Sequence, residues 1–383
     1  MKAAVLGGGL VGRAIAWDLS RDFDVVVVDV SEEALSRACS RPNVKGVKAS
    51  ALDKEALGRV FEEEGVEIVC GAVPGHLGYQ VMRNVIELGK DMVDISFMPE
   101  DSSELDGLAR SRKVTVVADM GLAPGLSNAL VGKAQHLLKN LHTVKIYVGG
   151  LPAQKCPPFD YKIVFSPEDV IEEYTRPARY VEDGQIREAE PLSQLEEIEF
   201  PGIGRFEAFL TDGLRSLLRT VRAKRMFEKT IRYHGHASQI NLLKLIGLLS
   251  DEPVEVEGKV VSPRKLTSKL LFKLWEMDPD KGDRDMTLMR VEATGETQEG
   301  RITISWDLFD RYDEENKVHS MARTTAYPCA AVARAVRKNM VQEKGVIPPE
   351  HIGANQRVFK HLMDSLVQRG IRITETKSIL KRY

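Results

Sequence analysis

The chain of 383 residues is long enough for two or three domains of about 150 residues, and 43% apolar with 29% charged residues excludes the disordered, collagenous and disulfide-scaffold classes. With 54 Lys and Arg against 56 Asp and Glu the net charge is −2, so composition gives no electrostatic case for a nucleic-acid or anionic-membrane partner. Cys39, Cys70, Cys156 and Cys329 lie far apart with no C-x-x-C pair, no apolar run reaches the ~18 residues of a membrane span, and no leader pattern precedes the first strand; the expectation is a soluble cytoplasmic protein with reduced thiols and no metal site.

In chain order, the first third alternates short β-branched runs with amphipathic stretches. Strands are expected at Ala3 to Leu6, Asp24 to Val30, Val44 to Lys48, Glu67 to Val73, Met92 to Ile95 and Val114 to Asp119. Helices are expected at Leu10 to Ser20, Lys54 to Glu64, Tyr79 to Leu88 and Ser103 to Arg112. Such βαβ repetition predicts an α/β, Rossmann-type doubly wound parallel sheet over residues 1–124.

Beyond about Gly125 the strands lengthen and alternate strictly, which predicts a second α+β domain, residues 125–323, on a mainly antiparallel sheet. Its strands are expected at Thr143 to Gly149, Leu195 to Phe200 with Arg205 to Leu210 as a hairpin, Lys229 to His236, Val254 to Val261, Met286 to Ala293 and Arg301 to Trp306. Helices are expected at Ala237 to Leu249 and Pro263 to Trp275. Residues 324–383 read as two helices, Thr324 to Lys344 and Gln356 to Arg369, separated by the breaker Gly345-Val346-Ile347-Pro348-Pro349 and able to pack back on the first domain.

Gly7-Gly8-Gly9-Leu10-Val11-Gly12 stands where the first strand turns into the first helix. In that context Gly7 permits the tight turn, Gly9 lets the backbone approach a pyrophosphate, and Gly12 lets helix and strand pack closely. The free N–H groups of Leu10 and Val11 at the helix start face the phosphates. Asp29 ends the second strand about 20 residues on, where a carboxylate accepts from the adenosine ribose; with Val30-Ser31 beside it there is no cation for a 2′-phosphate, so NAD is expected over NADP. The small turn Ala72-Val73-Pro74 and Gly121 lie on the same carboxyl edge of the sheet, where ligands bind.

The strand ends Val93 to Phe97 and Val117 to Gly125, with Tyr147 to Pro152, Tyr161-Lys162, Glu173 to Ala178, Glu207 to Phe209, Thr230 to His236 and Met321 to Ala326, make the sequence recognisable. It resembles the saccharopine dehydrogenase family, and within it most closely the lysine 6-dehydrogenases. The resemblance implies a Rossmann domain, a second domain that mediates dimerisation, and hydride transfer at a carbon bearing an amine. It implies that Ser96 and Phe97 border the substrate, that Tyr161 and Lys162 approach it from the second domain, and that Arg215 holds its carboxylate. Members of the saccharopine type carry Asp where this chain has Ala123, and an aromatic residue where it has His236.

Arg232, in an alternating strand, faces either the cleft or an ion pair on the sheet. His234 and His236 would share one face of that strand, but a metal needs a further ligand that the neighbourhood does not supply. Asp119 is either a strand-end turn former or, with His236, one of two unordered candidates for the catalytic base. The expected reaction is NAD-dependent oxidative deamination of the ε-amine of L-lysine, a small-molecule amino-acid substrate, by a homodimer or higher homo-oligomer. The rivals are a saccharopine or carboxynorspermidine-type secondary-amine dehydrogenase and a non-catalytic NAD-binding regulator.

Overall fold

The computed structural model describes residues 1–298 and 300–380. The β-branched run Val25 to Val28 is buried on both faces, as a central strand of a parallel sheet must be. It belongs to a seven-stranded sheet in the order Gly345–Ile347, Thr115–Val117, Asp91–Asp94, Ile68–Gly71, Lys2–Leu6, Asp24–Asp29, Val44–Lys48, with every pairing parallel. The strand order reverses between Lys2–Leu6 and Ile68–Gly71, so the crevice of this sheet opens at the Gly7 turn. Side-chain caps start its helices: Ser31 accepts from the Ala34 N–H (3.2 Å) ahead of Glu32–Ala38, and Asp53 from the Ala56 N–H (2.9 Å) ahead of Lys54–Glu63.

The second sheet has nine strands. Its main path is Glu196–Phe200, Gly204–Thr211, Arg225–Arg232, Lys139–Pro152, Asp285–Thr297, Gly300–Arg311, Ile373–Leu380, with Ala178–Glu182 and Gln185–Ala189 attached at Arg225–Arg232. All its pairings are antiparallel except that of Arg225–Arg232 with Lys139–Pro152. Alternation along Gly300–Arg311 buries Ile304 and Trp306 in the core while Thr303 faces the other way, bonded to Thr294.

Three expectations need correction. The strand expected through His236 stops at Arg232; Gly235 adopts a left-handed φ of 96° and His236 opens the helix His236–Leu245, so His234 and His236 share no strand face. Val254 to Val261 is not one strand but the hairpin Val254–Val256 and Lys259–Val261, folded on Glu257 and Gly258 at positive φ. The C-terminal stretch is not purely helical: Gly345–Ile347 extends the first sheet and Ile373–Leu380 the second. Its helix Ser320–Arg337 lies on Leu10–Leu19, where Arg334 bonds Asp18 (2.5 Å) and Asp22 (2.6 Å). Pro349–Ala354 meets Leu126–Leu137 backbone to backbone, since a Cβ on Gly353 would lie 1.7 Å from the Ala129 carbonyl oxygen and one on Gly132 1.9 Å from that of Glu350.

Candidate active site

A cleft of about 560 Å³ runs from the Gly7 turn to the face of the second sheet. At its first end the glycines are imposed by the backbone. Gly7 has φ 101°, and a Cβ there would lie 2.4 Å from the Ala72 carbonyl oxygen; a Cβ on Gly12 would lie 1.9 Å from that of Gly7. At Gly9 a Cβ would meet nothing within 4 Å, so nothing in the chain itself requires glycine there. The open space beside the start of a helix suits a pyrophosphate, and the residues present fit a dinucleotide. Asp29 accepts from the Gly8 N–H (2.6 Å) and the Ser31 N–H (2.8 Å), which joins the two loops at this end of the cleft. Around Asp29 the lining is Val28, Val30, Ala49, Ser50, Ala51 and Leu52, with no Lys or Arg among them. Gly7, Gly9, Leu10, Val11, Gly12, Asp29, Ala72, Val73, Pro74 and Gly121 all line this cleft.

At the other end Ser96 and Phe97, from the end of Asp91–Asp94, also line it. Buried Asp94 fixes Ser96 by accepting from its N–H (2.9 Å) and hydroxyl (3.0 Å), and burial pushes that carboxyl well above the usual range. The opposite wall is the helix Pro167–Thr175. Its start is written in Ser166-Pro167-Glu168-Asp169: a Ser cap bonding the Asp169 N–H, Pro at the first turn, and acids on the positive end of the dipole. This helix brings Glu168, Asp169, Glu172 and Glu173 to the cleft, with Arg176 just beyond its end.

Arg232 satisfies both readings of its strand, for it lines the cleft and bonds Glu173 Oε2 from Nη2 (2.6 Å). Its Nε faces the Tyr174 hydroxyl (3.3 Å), and the surrounding Glu173 and tyrosines raise its already high pKa further despite the opposing cost of burial.

The remaining sequence candidates lie outside the cleft lining. His236 is buried, with Nδ1 on the Phe159 carbonyl oxygen and Nε2 on the Tyr174 hydroxyl, each at 2.9 Å. Burial, with the Arg232 charge beside it, pushes its pKa down to about 3, and with both ring nitrogens engaged it buttresses Tyr174 from outside the cleft lining. Asp119 pairs with Arg215 (3.3 Å), both side chains nearly inaccessible. It faces a second, smaller pocket of about 230 Å³ with Ser216 and His351. Arg215, spent on that pair, lies with its guanidinium carbon 5.0 Å from the Phe97 ring centroid and supports the cleft wall from outside. Tyr161 is buried against Trp275 with its ring 4.7 Å from the Arg232 guanidinium. Lys162 turns away, its Nζ on Asp283 (2.9 Å) and the Glu276 carbonyl oxygen (2.7 Å).

Sequence reasoning missed the cleft residues Arg176, Asp212 and Glu228. Arg176 lies with its guanidinium carbon 4.9 Å from the Phe97 ring centroid, and its Nη1 is buried with no hydrogen-bond partner. A buried, unpaired guanidinium N–H on a cleft wall is suited to a carboxylate. Among the described residues no group of three or more His, Cys, Asp or Glu is placed to hold a metal, and no helix is long and apolar enough to cross a membrane.

Residues 3–117 match the family model of the saccharopine dehydrogenase NADP binding domain and residues 121–371 that of the saccharopine dehydrogenase C-terminal domain. Saccharopine dehydrogenase [NADP(+), L-glutamate-forming] of Saccharomyces cerevisiae is 22% identical over 94% of this chain and 96% of its own length. Carboxyaminopropylagmatine dehydrogenase of Synechocystis is 22% identical over 70% of this chain and 72% of its own length. The chain spans only 28% and 48% of the alpha-aminoadipic semialdehyde synthases of Arabidopsis thaliana and Bos taurus that it matches. In fold it is similar to apo saccharopine dehydrogenase (L-Glu forming) of Saccharomyces cerevisiae, with TM-score 0.81 at 20% identity over 98% of this chain and 99% of the other. A homospermidine synthase of Legionella pneumophila, solved in complex with NAD, gives TM-score 0.63 at 13% identity over 98% and 91%. The chain belongs to the saccharopine dehydrogenase family of NAD(P)-dependent oxidoreductases.

Proposed function

We propose that this member of the saccharopine dehydrogenase family is an NAD-dependent dehydrogenase of the ε-amine of L-lysine. Lysine, NAD+ and water give 2-aminoadipate 6-semialdehyde, which cyclises to piperideine-6-carboxylate, with ammonia, NADH and a proton. The observation that carries this reading is the charge balance at the chemical end of the cleft. Six carboxyl side chains, Glu168, Asp169, Glu172, Glu173, Asp212 and Glu228, line it against two guanidiniums, Arg176 and Arg232, while Arg179 and Arg264 pair with Asp212 and Glu172 from outside the lining, which still leaves acids in excess. Arg232 is tied to Glu173, which leaves Arg176 with its open Nη1 as the anion site. One carboxylate and an excess of positive charge describe lysine.

The alternative, a secondary-amine dehydrogenase, has in its favour the names of the saccharopine and carboxyaminopropylagmatine relatives. Saccharopine carries three carboxylates, and in an acidic cleft two of them would be desolvated beside like charges. Ala123 also offers nothing to orient them. Lysine is expected to support NAD reduction at least tenfold better than saccharopine in kcat/KM, read as NADH absorbance. Faster turnover of saccharopine would replace this reading by the alternative, and turnover of neither would favour a regulatory NAD-binding protein.

The bound nicotinamide supplies the hydride acceptor. The chain's own work is to orient and deprotonate. Arg176 would hold the carboxylate, and Phe97 and the Ser96 hydroxyl would border the carbon chain beside Gly121 and Thr325. A lysine ammonium of pKa ~10.4 is neutral in only about one molecule in a few thousand at pH 7, so a cleft carboxylate must take its proton, and the rate should rise with pH above neutrality. Met321, Phe165 and Leu122 give this end of the cleft an apolar wall.

NAD is favoured over NADP because Asp29 repels a 2′-phosphate and no cation lines that end of the cleft. Val30 is 64% exposed. The double substitution Asp29→Ser and Val30→Arg should therefore shift the ratio of NADP to NAD use upward by at least tenfold in steady-state kinetics. An unmodified protein that already prefers NADP would refute the assignment. The cytoplasm is the expected compartment. A homodimer or larger homo-oligomer is the expected form, to be read by light scattering.

A further inference from the structure

Glu228 lies on the strand Arg225–Arg232, paired across the sheet with Thr211 and alongside Ile146. Its side chain is buried yet lines the cleft, and Oε2 has no hydrogen-bond partner. Four of the other carboxylates at this end are engaged: Glu172 by Arg264 and Arg176, Glu173 by Arg232, Asp212 by Arg179, and Glu168 by the Ser166 hydroxyl. Among the described carboxyl groups of the cleft, Glu228 is the one with an oxygen both sealed from solvent and unpartnered. The room it occupies is kept by a glycine, since a Cβ on Gly213 would lie 1.1 Å from Oε2 and 1.9 Å from the carboxyl carbon. Oε2 is packed against Gly213 and sealed there without a donor, while the residue as a whole lines the cleft; a buried acid with an unpartnered oxygen is costly in a folded chain, and a proton-transfer role accounts for its presence.

We propose that Glu228 is the catalytic residue whose carboxylate accepts the proton of the substrate ammonium, and that Gly213 is the positioning residue that makes room for its carboxyl group at the cleft wall. This deepens the reading of the cleft as an amine dehydrogenase site and rests on it. In the step an N–H bond of the substrate breaks and an O–H bond forms on the Glu228 carboxylate. The electron pair stays on nitrogen, where it can assist departure of hydride from the neighbouring carbon. The charged groups around Glu228 are Glu173 from the helix Pro167–Thr175 and Asp212 and Arg215 from the segment after Gly204–Thr211. Burial first, and then the two acids, push its carboxyl up to about 8, while Arg215 opposes them. The empty site therefore holds a largely neutral acid at pH 7, and an arriving cation favours ionisation.

The sign of the linkage is fixed by that raised value. An acid that is neutral when folded up to about pH 8 but ionises near 4.5 when unfolded stabilises the fold below 4.5. That contribution is lost as pH rises towards 8.

The test uses the full chain with NAD and lysine. Glu228→Gln should lower kcat by about a hundredfold or more and remove the rise of kcat/KM centred near pH 8. NAD affinity should be unchanged, and at pH 9 the variant should melt higher than the parent because the buried charge is gone. Gly213→Ala, which displaces the carboxyl group without removing it, should also lower kcat with NAD affinity retained. On the unmodified protein, an infrared carboxylic C=O band that disappears between pH 7 and 9 and is absent in Glu228→Gln would report the proton directly, without turnover. Lysine oxidation within threefold of the parent in Glu228→Gln, or a band lost by pH 5, overturns the proposal while the substrate reading stands. Absence of lysine and amine oxidation in the parent, with the band present at pH 7, overturns the substrate reading instead.

Discussion

Replacing Arg176 by Met should raise the KM for lysine about ten- to a hundredfold and leave NAD affinity unchanged, whereas the same change at Arg215 should act on stability. The two arginines look alike in the sequence and both lie over Phe97, at 4.9 and 5.0 Å from its ring centroid. What separates them is what their N–H groups already hold. Arg215 spends its guanidinium on buried Asp119, while Arg176 keeps Nη1 buried and unpaired on the cleft wall. A lost charge-assisted hydrogen bond costs about 1.5–3 kcal/mol, which sets the expected KM change. Met preserves the apolar stem against Phe97, so the loss reports the charge and not the packing. Arg215→Met strands the Asp119 carboxylate, and breaking a buried pair from one side costs about 3–5 kcal/mol. Its melting temperature should fall, with lysine KM within threefold of the parent wherever the protein is folded. The reverse pattern, in which Arg215→Met raises KM and Arg176→Met does not, would return the carboxylate site to Arg215.

The contrast between these arginines also shows what was legible beforehand. The glycine end of the cleft is local: a strand, three glycines at fixed offsets and an acid about 20 residues on are contiguous signals, and each of those residues lines the cleft. The substrate half is assembled by register between distant strands. Glu228 faces the cleft because it sits opposite Thr211 and beside a glycine that admits its carboxyl group, and neither fact has a local signature. His236 was misplaced for a physical reason. Alternation in Tyr233-His234-Gly235-His236 mimics a strand, but Gly235 at positive φ turns the chain into a helix and aims His236 into the aromatic cluster of Tyr161, Tyr174 and Trp275. Arg176 was within reach, since Ser166-Pro167-Glu168-Asp169 announces a helix whose acids and following Arg must share a neighbourhood. The last strand, Ile373–Leu380, was not, because its Thr-Glu-Thr-Lys-Ser run is polar and only its pairing with Gly300–Arg311 makes it a strand.

Asp18→Ala should lower the melting temperature by of order 5–10 °C and loosen the cleft wall contributed by the C-terminal helix. Asp18 is fully buried on the first helix and receives two guanidiniums from the end of the chain, Arg334 at 2.5 Å and Arg369. Its removal leaves Arg369 with only the Ser365 carbonyl oxygen and Arg334 with only Asp22 and a backbone oxygen. Stranding buried partners in this way costs about 3–5 kcal/mol, which in a chain of this size gives a shift of that order. The effect reaches the site because helix Ser320–Arg337 carries Met321 and Thr325 into the cleft wall, where Thr325 Cγ2 lies 3.1 Å from where a Cβ on Gly121 would be. Bound cofactor should restore part of the loss, about 2.7 kcal/mol at a hundred times its Kd, since it grips the glycine turn from which the same first helix starts. The triple substitution Asp18→Leu, Arg334→Met and Arg369→Met separates two origins of the effect. If the cost lies in unpaired charge, the triple variant melts close to the parent, because no ion is left buried without a partner. If it melts as low as Asp18→Ala, the cluster supplies net attraction, and the C-terminal helix is held on the first helix by charge rather than by its Ala-rich face.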